Sequence, residues 1–363
     1  MKRNVLFLAC THFQLMTAIQ VRRTYFAEET ADLILTDYAK GCAAIADRLR
    51  ESGVFDRVFF LEDPSEGADR SLAVKLRSYL QAYFFPRRML RRCVPLRDRY
   101  ALFLFNTPGL LAHLIVRRYG PGMECRLFEE GYGSYTEPFL KKSRSHRILI
   151  RGFFGDLEKR LTGRYLYHPE LFDREPPSAV WPIPLPDRRD RELLALYDRI
   201  FDYSPDGALL DADFIFFEEV LSGAPEGERE LLEAIAGAVG KERLTVKRHP
   251  RSGAAETLPD GFRAAERPEL PWELIEMNES LAGKTLLTVS SGSVLAPALY
   301  FDDPVQVYLL FRCEKGNGAN TDERYLQYIT RLTKEKKNYY IPADIPELIR
   351  LLNGRRDQGG ISL

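Results

Sequence analysis

The chain has 363 residues and carries 52 Lys+Arg against 52 Asp+Glu, so its formal charge is zero. An apolar share of 45% excludes a disordered chain. The charge balance excludes a generally basic nucleic-acid binder, and the length predicts two domains, each with its own core. The five cysteines (Cys10, Cys42, Cys93, Cys125 and Cys313) are scattered with no Cys-x-x-Cys. A structural zinc site is therefore not expected, and an odd number suits a reducing compartment. The start is basic and then apolar, but the run from Val5 to Cys10 is too short for the core of a secretory signal. No stretch approaches the roughly 18 apolar residues of a membrane-spanning helix. The expectation is a cytoplasmic protein.

In chain order, a strand is predicted at Val5–Ala9, a helix from Gln14 to Phe26, a strand at Leu33–Thr36, a helix from Gly41 to Ser52 and a strand at Arg57–Leu61. Such alternation predicts a parallel α/β sheet, with further strands at Tyr100–Phe105 and Cys125–Phe128. Residues 173–187 hold five prolines, a density that no helix or central strand survives, so an interdomain linker is read there. The alternation then restarts. Strands are predicted at 213–217, 244–247, 285–289 and 305–310, and helices at 190–201, 226–239, 272–277 and 293–300. The reading is an N-terminal Rossmann-like domain (1–175), a Pro-rich linker (176–187) and a C-terminal Rossmann-like domain (188–363), facing a central cleft. Ligands of such sheets bind outside the carboxyl ends of the strands, so motifs there carry the most weight.

Three motifs follow predicted strands. In Leu127-Phe128-Glu129-Glu130-Gly131-Tyr132-Gly133-Ser134-Tyr135, two carboxylates leave a strand and enter a glycine-rich turn. Successive residues of an extended segment point opposite ways, so only one carboxylate readily faces a ligand. A partly buried Glu beside a like charge can serve as a general base; a solvated acidic turn would have the same sequence. In Thr245-Val246-Lys247-Arg248-His249-Pro250, a strand ends in two cations and a histidine able to stabilise a phosphate leaving group; a solvated basic loop is the plainer alternative. In Thr288-Val289-Ser290-Ser291-Gly292-Ser293, hydroxyls and a glycine precede a predicted helix, where free N–H groups suit a phosphate. N-capping by one serine would account for part of that run. A second His-Pro pair, His168-Pro169, follows a stretch with no clear sheet signal and is read as structural. His113 is read as a core histidine and His146 as solvated.

The ordered set Glu129-Glu130-Gly131, His249-Pro250 and Ser290-Ser291 resembles the motifs of bacterial sialyltransferases of the lipooligosaccharide family, glycosyltransferase family 52. These motifs are shared with the capsular polysialyltransferases. Thr11-His12-Phe13-Gln14 is similar to a Thr-Pro-x-Gln stretch of these families, with His12 in place of Pro. The resemblance implies a GT-B fold and metal-independent inverting transfer of sialic acid from CMP-sialic acid to a hydroxyl of a cell-surface glycan, with no cofactor. It implies Glu129 as base with Glu130 in support, and His249 as acid or phosphate stabiliser. Ser290, Ser291 and Gly292 would hold the CMP phosphate, with Gly131, Lys247, Arg248 and Pro250 contributing to the substrate site. Thr11 and Gln14 would face the substrate from the N-terminal domain. Glu273 lies where GT-B enzymes often bind a ribose or base, and Glu218 and Glu219 follow the first strand of the second half.

Between Lys75 and Arg99 there are eight cations against one acid, interleaved with Tyr83, Phe84 and Phe85. That pattern suits peripheral contact with the anionic inner face of the cytoplasmic membrane, or an ordinary solvated basic helix. A homodimer is compatible with this reading. Two alternatives remain open: another donor on the same fold (CMP-Kdo, a UDP-hexose or CDP-glycerol), and a non-catalytic glycan-binding protein.

Overall fold

The computed structural model describes residues 2–37, 41–61, 80, 83–85, 94–106, 109–136, 157–172, 179–218, 225–249, 258–289, 291–301, 303–313, 323–333 and 338–354. The chain forms two compact units, Met1–Leu185 with Ala195–Asp202, and Pro186–Leu194 with Tyr203–Leu363.

The first unit runs β1 (Asn4–Ala9), α1 (His12–Tyr25), β2 (Thr30–Thr36), α2 (Cys42–Ser52), β3 (Arg57–Leu61), β4 (Leu102–Phe105), α3 (Leu110–Tyr119), β5 (Glu124–Phe128), the short α4 (Gly133–Thr136), β6 (Leu161–Leu166) and β7 (Ala179–Pro182). Among the described residues the sheet order is β3-β2-β1-β4-β5-β6-β7, and every pairing is parallel. Strands covered on both faces read as unbroken apolar runs. Leu102-Phe103-Leu104-Phe105 is such a run and is wholly buried. α5 (Arg191–Phe201) returns part of the chain to this unit, where the Tyr197 hydroxyl donates to the carbonyl of Met16 (2.8 Å).

The second unit contains α6 (Gly207–Leu210), β8 (Phe214–Phe217), α7 (Pro225–Val239), β9 (Leu244–Lys247), β10 (Arg263–Ala264), α8 (Trp272–Asn278), β11 (Thr285–Thr288), β12 (Gln306–Leu309), α9 (Glu323–Thr333), β13 (Tyr339–Tyr340) and α10 (Ile345–Gly354). Its parallel sheet has the order β10-β9-β8-β11-β12-β13 among the described residues. No helix among the described residues is long and apolar enough to cross a membrane.

Three expectations differ from the structure. The proline-rich stretch is not all linker, because Ala179–Pro182 forms the edge strand β7 against β6. Pro182 closes that strand, and the next N–H, of Ile183, donates to the carbonyl of Leu166 (2.7 Å). Proline is tolerated at such an edge because it need not donate to a further neighbour. The predicted helix 293–300 is instead a 3₁₀ turn, Gly292–Leu295, followed by a π turn, Pro297–Phe301. Pro297 has no N–H for an α-helical ladder. Third, Leu161–Leu166 is a sheet strand that the sequence did not signal.

On the amino side of the first sheet, the fully buried carboxylate of Asp32 collects the guanidiniums of Arg57 (2.7 Å) and Arg97 (2.9 Å) and the Tyr100 hydroxyl (2.6 Å). Burial alone would push its pKa up, but these hydrogen bonds outweigh burial and hold it below the ordinary aspartate value. The cluster fastens the segment before β4 to β2 and β3.

Gly163 of β6 lies against β7. A Cβ there would sit 2.6 Å from the carbonyl oxygen of Ala179 and inside the Trp181 ring, which stacks on Tyr165 at 5.0 Å. Gly163→Ala is expected to destabilise the protein by about 1–3 kcal/mol. This would be read as a lower urea midpoint at unchanged m-value.

Candidate active site

The order of the first sheet reverses between β1 and β4, and ligands of parallel sheets bind outside the carboxyl ends near such a point. Thr11, two residues after β1, caps α1 by accepting the N–H of Gln14 (3.2 Å). Gln14 is 1% exposed. Its carbonyl accepts the N–H of Cys10 (2.8 Å), and its amide nitrogen donates to the Glu130 carboxylate (2.7 Å). His12, at the position where the resembling family has proline, is buried and packs edge-to-face on Phe201 (5.8 Å). Asn106, after β4, donates to the carbonyl of Phe128 (2.7 Å) and tethers the end of β5.

The acidic pair leaves β5 with its two side chains in opposite environments, as the pleat requires. Glu129 is fully buried. Its carboxylate accepts the Tyr135 hydroxyl and the N–H of Tyr167 (2.8 Å). The Tyr167 hydroxyl continues the chain to Gln20 (2.8 Å) on α1. Glu130 is exposed. Its N–H donates to Ser134 (2.9 Å), and its side chain is held by Gln14. Gly131 follows with φ 105°, a backbone conformation that side chains with a Cβ rarely adopt. The turn back into α4 depends on it.

In the second unit the order reverses between β8 and β11, with β9 on the other side of β8. Glu218, after β8, accepts the N–H of His249 (3.0 Å) and the guanidinium of Arg248 (3.3 Å). His249 is half-buried beside this pair. Lys247 turns inward: it is 5% exposed and donates to the carbonyl of Pro268 (2.6 Å). Burial pushes its pKa down to about 8, against the attraction of Glu269, Asp206 and Glu273. At the end of β11, Thr288 accepts the N–H of Ser291 (3.0 Å), and Ser291 caps the 3₁₀ turn that contains Gly292 through the N–H of Ser293 (3.4 Å). Pro250, Ser290 and Glu219 lie outside the described residues.

Glu273 stands in the first turn of α8, where burial pushes its carboxyl up to about 7. One turn on, Glu276 is fully buried. One of its oxygens accepts the Trp272 indole N–H (2.8 Å), and the other has no partner. Burial, then the neighbouring charge of Glu273, pushes the Glu276 carboxyl well up. Trp272 in turn packs edge-to-face on Phe217 at the end of β8 (4.7 Å).

The structure therefore gathers Thr11, Gln14, Glu129, Glu130 and Gly131 at one strand-end site in the first unit. Lys247, Arg248, His249, Ser291 and Gly292 lie at the strand ends of the second, and Glu273 lies on α8. His168 also follows a strand end, that of β6. Its N–H donates to the Tyr135 hydroxyl (3.0 Å), and its ring contacts Glu170 (2.7 Å). The sequence gave no role to Asn106, nor to Ser134 and Tyr135 within the acidic motif. The signal for the last two was present: polar residues four to six positions beyond the acidic pair, across a glycine turn. Among the described residues no group of three or more His, Cys, Asp or Glu gathers where it could hold a metal ion.

The sequence matches no protein-family model and no curated protein. Solved structures do match over nearly the whole chain. Arabidopsis thaliana UGT89C1 aligns with a TM-score of 0.55 at 14% identity, covering 99% of this chain and 94% of its own. A UDP-glucosyltransferase from Polygonum tinctorium, capable of glucosylating indoxyl, aligns at 0.55 and 12%, covering 99% and 92%. An alpha/beta-galactoside alpha-2,3-sialyltransferase from the luminous marine bacterium Photobacterium phosphoreum aligns at 0.51 and 12%, covering 94% and 98%. The fold is that of the GT-B glycosyltransferases.

The raised pKa of Glu276 carries a stability signature. The buried carboxyl is tolerated while protonated, so its contribution is intact below the ordinary glutamate range and is lost as pH rises through the folded-state value. Glu276→Gln keeps the Trp272 hydrogen bond and cannot ionise. Its melting temperature should match that of the parent near pH 4.5 and exceed it by about 2–4 °C at pH 8, corresponding to about 1 kcal/mol. Thermal melts of both proteins across that range check it.

Proposed function

We propose that this chain is an inverting sialyltransferase that moves sialic acid from CMP-sialic acid to a hydroxyl of a cell-surface glycan of the lipooligosaccharide or capsule type, without a metal or cofactor. The observation that carries this reading is the placement of the ordered motifs. The acidic pair, His249 and Ser291 each follow the carboxyl end of a parallel strand, β5, β9 and β11 respectively. A fold shared with glycosyltransferases, one of the neighbours being a sialyltransferase, supports the same class.

In this reading Glu130, and not Glu129 as the resemblance implies, is the base, and Glu129 is its anchor. The exposed carboxylate can meet an acceptor, whereas that of Glu129 is buried and engaged by Tyr135 and Tyr167. The acceptor hydroxyl loses its proton to Glu130 as its oxygen forms the new bond to the anomeric carbon. The bond from that carbon to the phosphate oxygen of CMP breaks, and its electron pair leaves with the phosphate. His249 and the donors around Ser291 and Gly292 stabilise that oxygen. Lys247 is left a structural role by its inward ammonium, and Arg248 is paired with Glu218.

A second reading keeps the fold and uses a UDP-sugar, which is the donor class of the UDP-glucosyltransferase neighbour. Thermal shift against CMP, CDP and UDP, followed by mass spectrometry of galactosides incubated with CMP-sialic acid, separates the two. The sialyl reading expects stabilisation by CMP and a product one sialic acid heavier; preference for UDP with no such product would overturn it. Glu130→Gln should lower kcat by about 10²–10⁴-fold at unchanged stability, and Glu129→Gln should lower the melting temperature first.

The reading also gives the exposed Phe84 and Phe85 (64% and 58% exposed) contact with an anionic membrane, helped by Arg87, Arg88, Arg91 and Arg92 of the sequence. Those four arginines lie outside the described residues. Co-sedimentation with phosphatidylglycerol vesicles that is lost with neutral vesicles, and weakened in Phe84→Ser/Phe85→Ser, is the expected outcome.

A further inference from the structure

We infer that Gln14 is a positioning residue that aims the Glu130 carboxylate, and not a substrate ligand. The inference rests on the reading of Glu130 as the base. At 1% exposure the Gln14 side chain offers no surface to a substrate.

The orientation of its amide is fixed by hydrogen-bond chemistry. The N–H of Cys10 is only a donor, so the amide end 2.8 Å from it must be the carbonyl oxygen, Oε1. The NH₂ end is thereby turned toward Glu130, where Nε2 donates to Oε2 at 2.7 Å. Rotating the amide by half a turn would set donor against donor at Cys10 and oxygen against carboxylate at Glu130. Neither arrangement is a hydrogen bond.

The frame behind the amide is rigid. Cys10 is the residue after β1, and the backbone of Gln14 is held in the first turn of α1 by the Thr11 cap (3.2 Å). Glu130 is fixed from its other side by its own N–H on Ser134 (2.9 Å). One amide thus connects the end of β1, the start of α1 and the second residue after β5. An exposed glutamate otherwise samples several rotamers, and a misplacement of about 1 Å at a reacting group costs on the order of 10²-fold in rate. Holding one carboxylate oxygen removes most of that freedom before substrate arrives.

Two substitutions separate positioning from simple packing. Gln14→Met keeps the volume and removes both bonds. Gln14→Glu keeps the acceptor for the Cys10 N–H and sets a second carboxylate, in place of the donor, against Glu130, so it is expected to melt lower than the parent. If Gln14 only fastens β1 to α1, Gln14→Met should melt lower and keep the kcat of the parent. If it aims Glu130, both should lose about 10–100-fold in kcat with KM changed less than threefold. Parent-like kcat in Gln14→Met would overturn the inference. A crystal structure of Gln14→Met gives a readout independent of turnover, in which the Glu130 carboxylate should leave its parental position. An unmoved carboxylate would also overturn the inference. Absence of turnover by the parent protein on every donor would refute the proposed function alone, since the carboxylate position is still read in the crystal.

Discussion

The site of the first unit is organised by one carboxylate taken out of water. Glu129 sits at the carboxyl end of β5 with no exposed surface, and an ionised group there is costly unless it is fully hydrogen-bonded. It draws the hydroxyl of Tyr135 from α4 and the N–H of Tyr167 from the end of β6. Tyr167 passes the connection to Gln20 on α1. Three elements that meet nowhere else in sequence are thereby fixed around the end of one strand. Once Glu129 is committed inward, the pleat sends Glu130 outward, and Gly131 turns the chain away before it can cover that carboxylate.

The second unit handles charge differently. Its strand ends carry Lys247, Arg248 and His249, yet the structure disposes of the first two within the protein: Lys247 on the carbonyl of Pro268 and Arg248 on Glu218. The histidine remains with its backbone aligned by the same glutamate. On α8 the acids are moved toward neutrality by burial.

Local exceptions in the fold have identifiable causes. A proline-rich stretch becomes an edge strand because an edge asks for fewer N–H donors. The segment after Ser291 makes 3₁₀ and π turns where an α-helix was expected, because Pro297 interrupts the donor ladder. Leu161-Thr162-Gly163-Arg164-Tyr165-Leu166 carries a weak strand signal because a glycine and an arginine dilute its apolar pattern. The glycine is there to admit Trp181.

The parallel α/β class, most strand positions and the residues of the three strand-end motifs were legible in the sequence. Buried parallel strands are written as contiguous apolar runs, and turn chemistry follows them directly. The sequence alone also showed that one glutamate of the pair must face away from the other. It did not show which. That choice depended on Tyr135 and on the N–H of Tyr167, 38 positions away, which supply the hydrogen bonds that make burial of Glu129 tolerable. The inward turn of Lys247, the capture of Arg248 by Glu218 and the grip of Gln14 on Glu130 likewise join residues from separate parts of the chain. Only tertiary structure could decide them, because desolvation and hydrogen bonding are set by neighbours in space and not by neighbours in the chain.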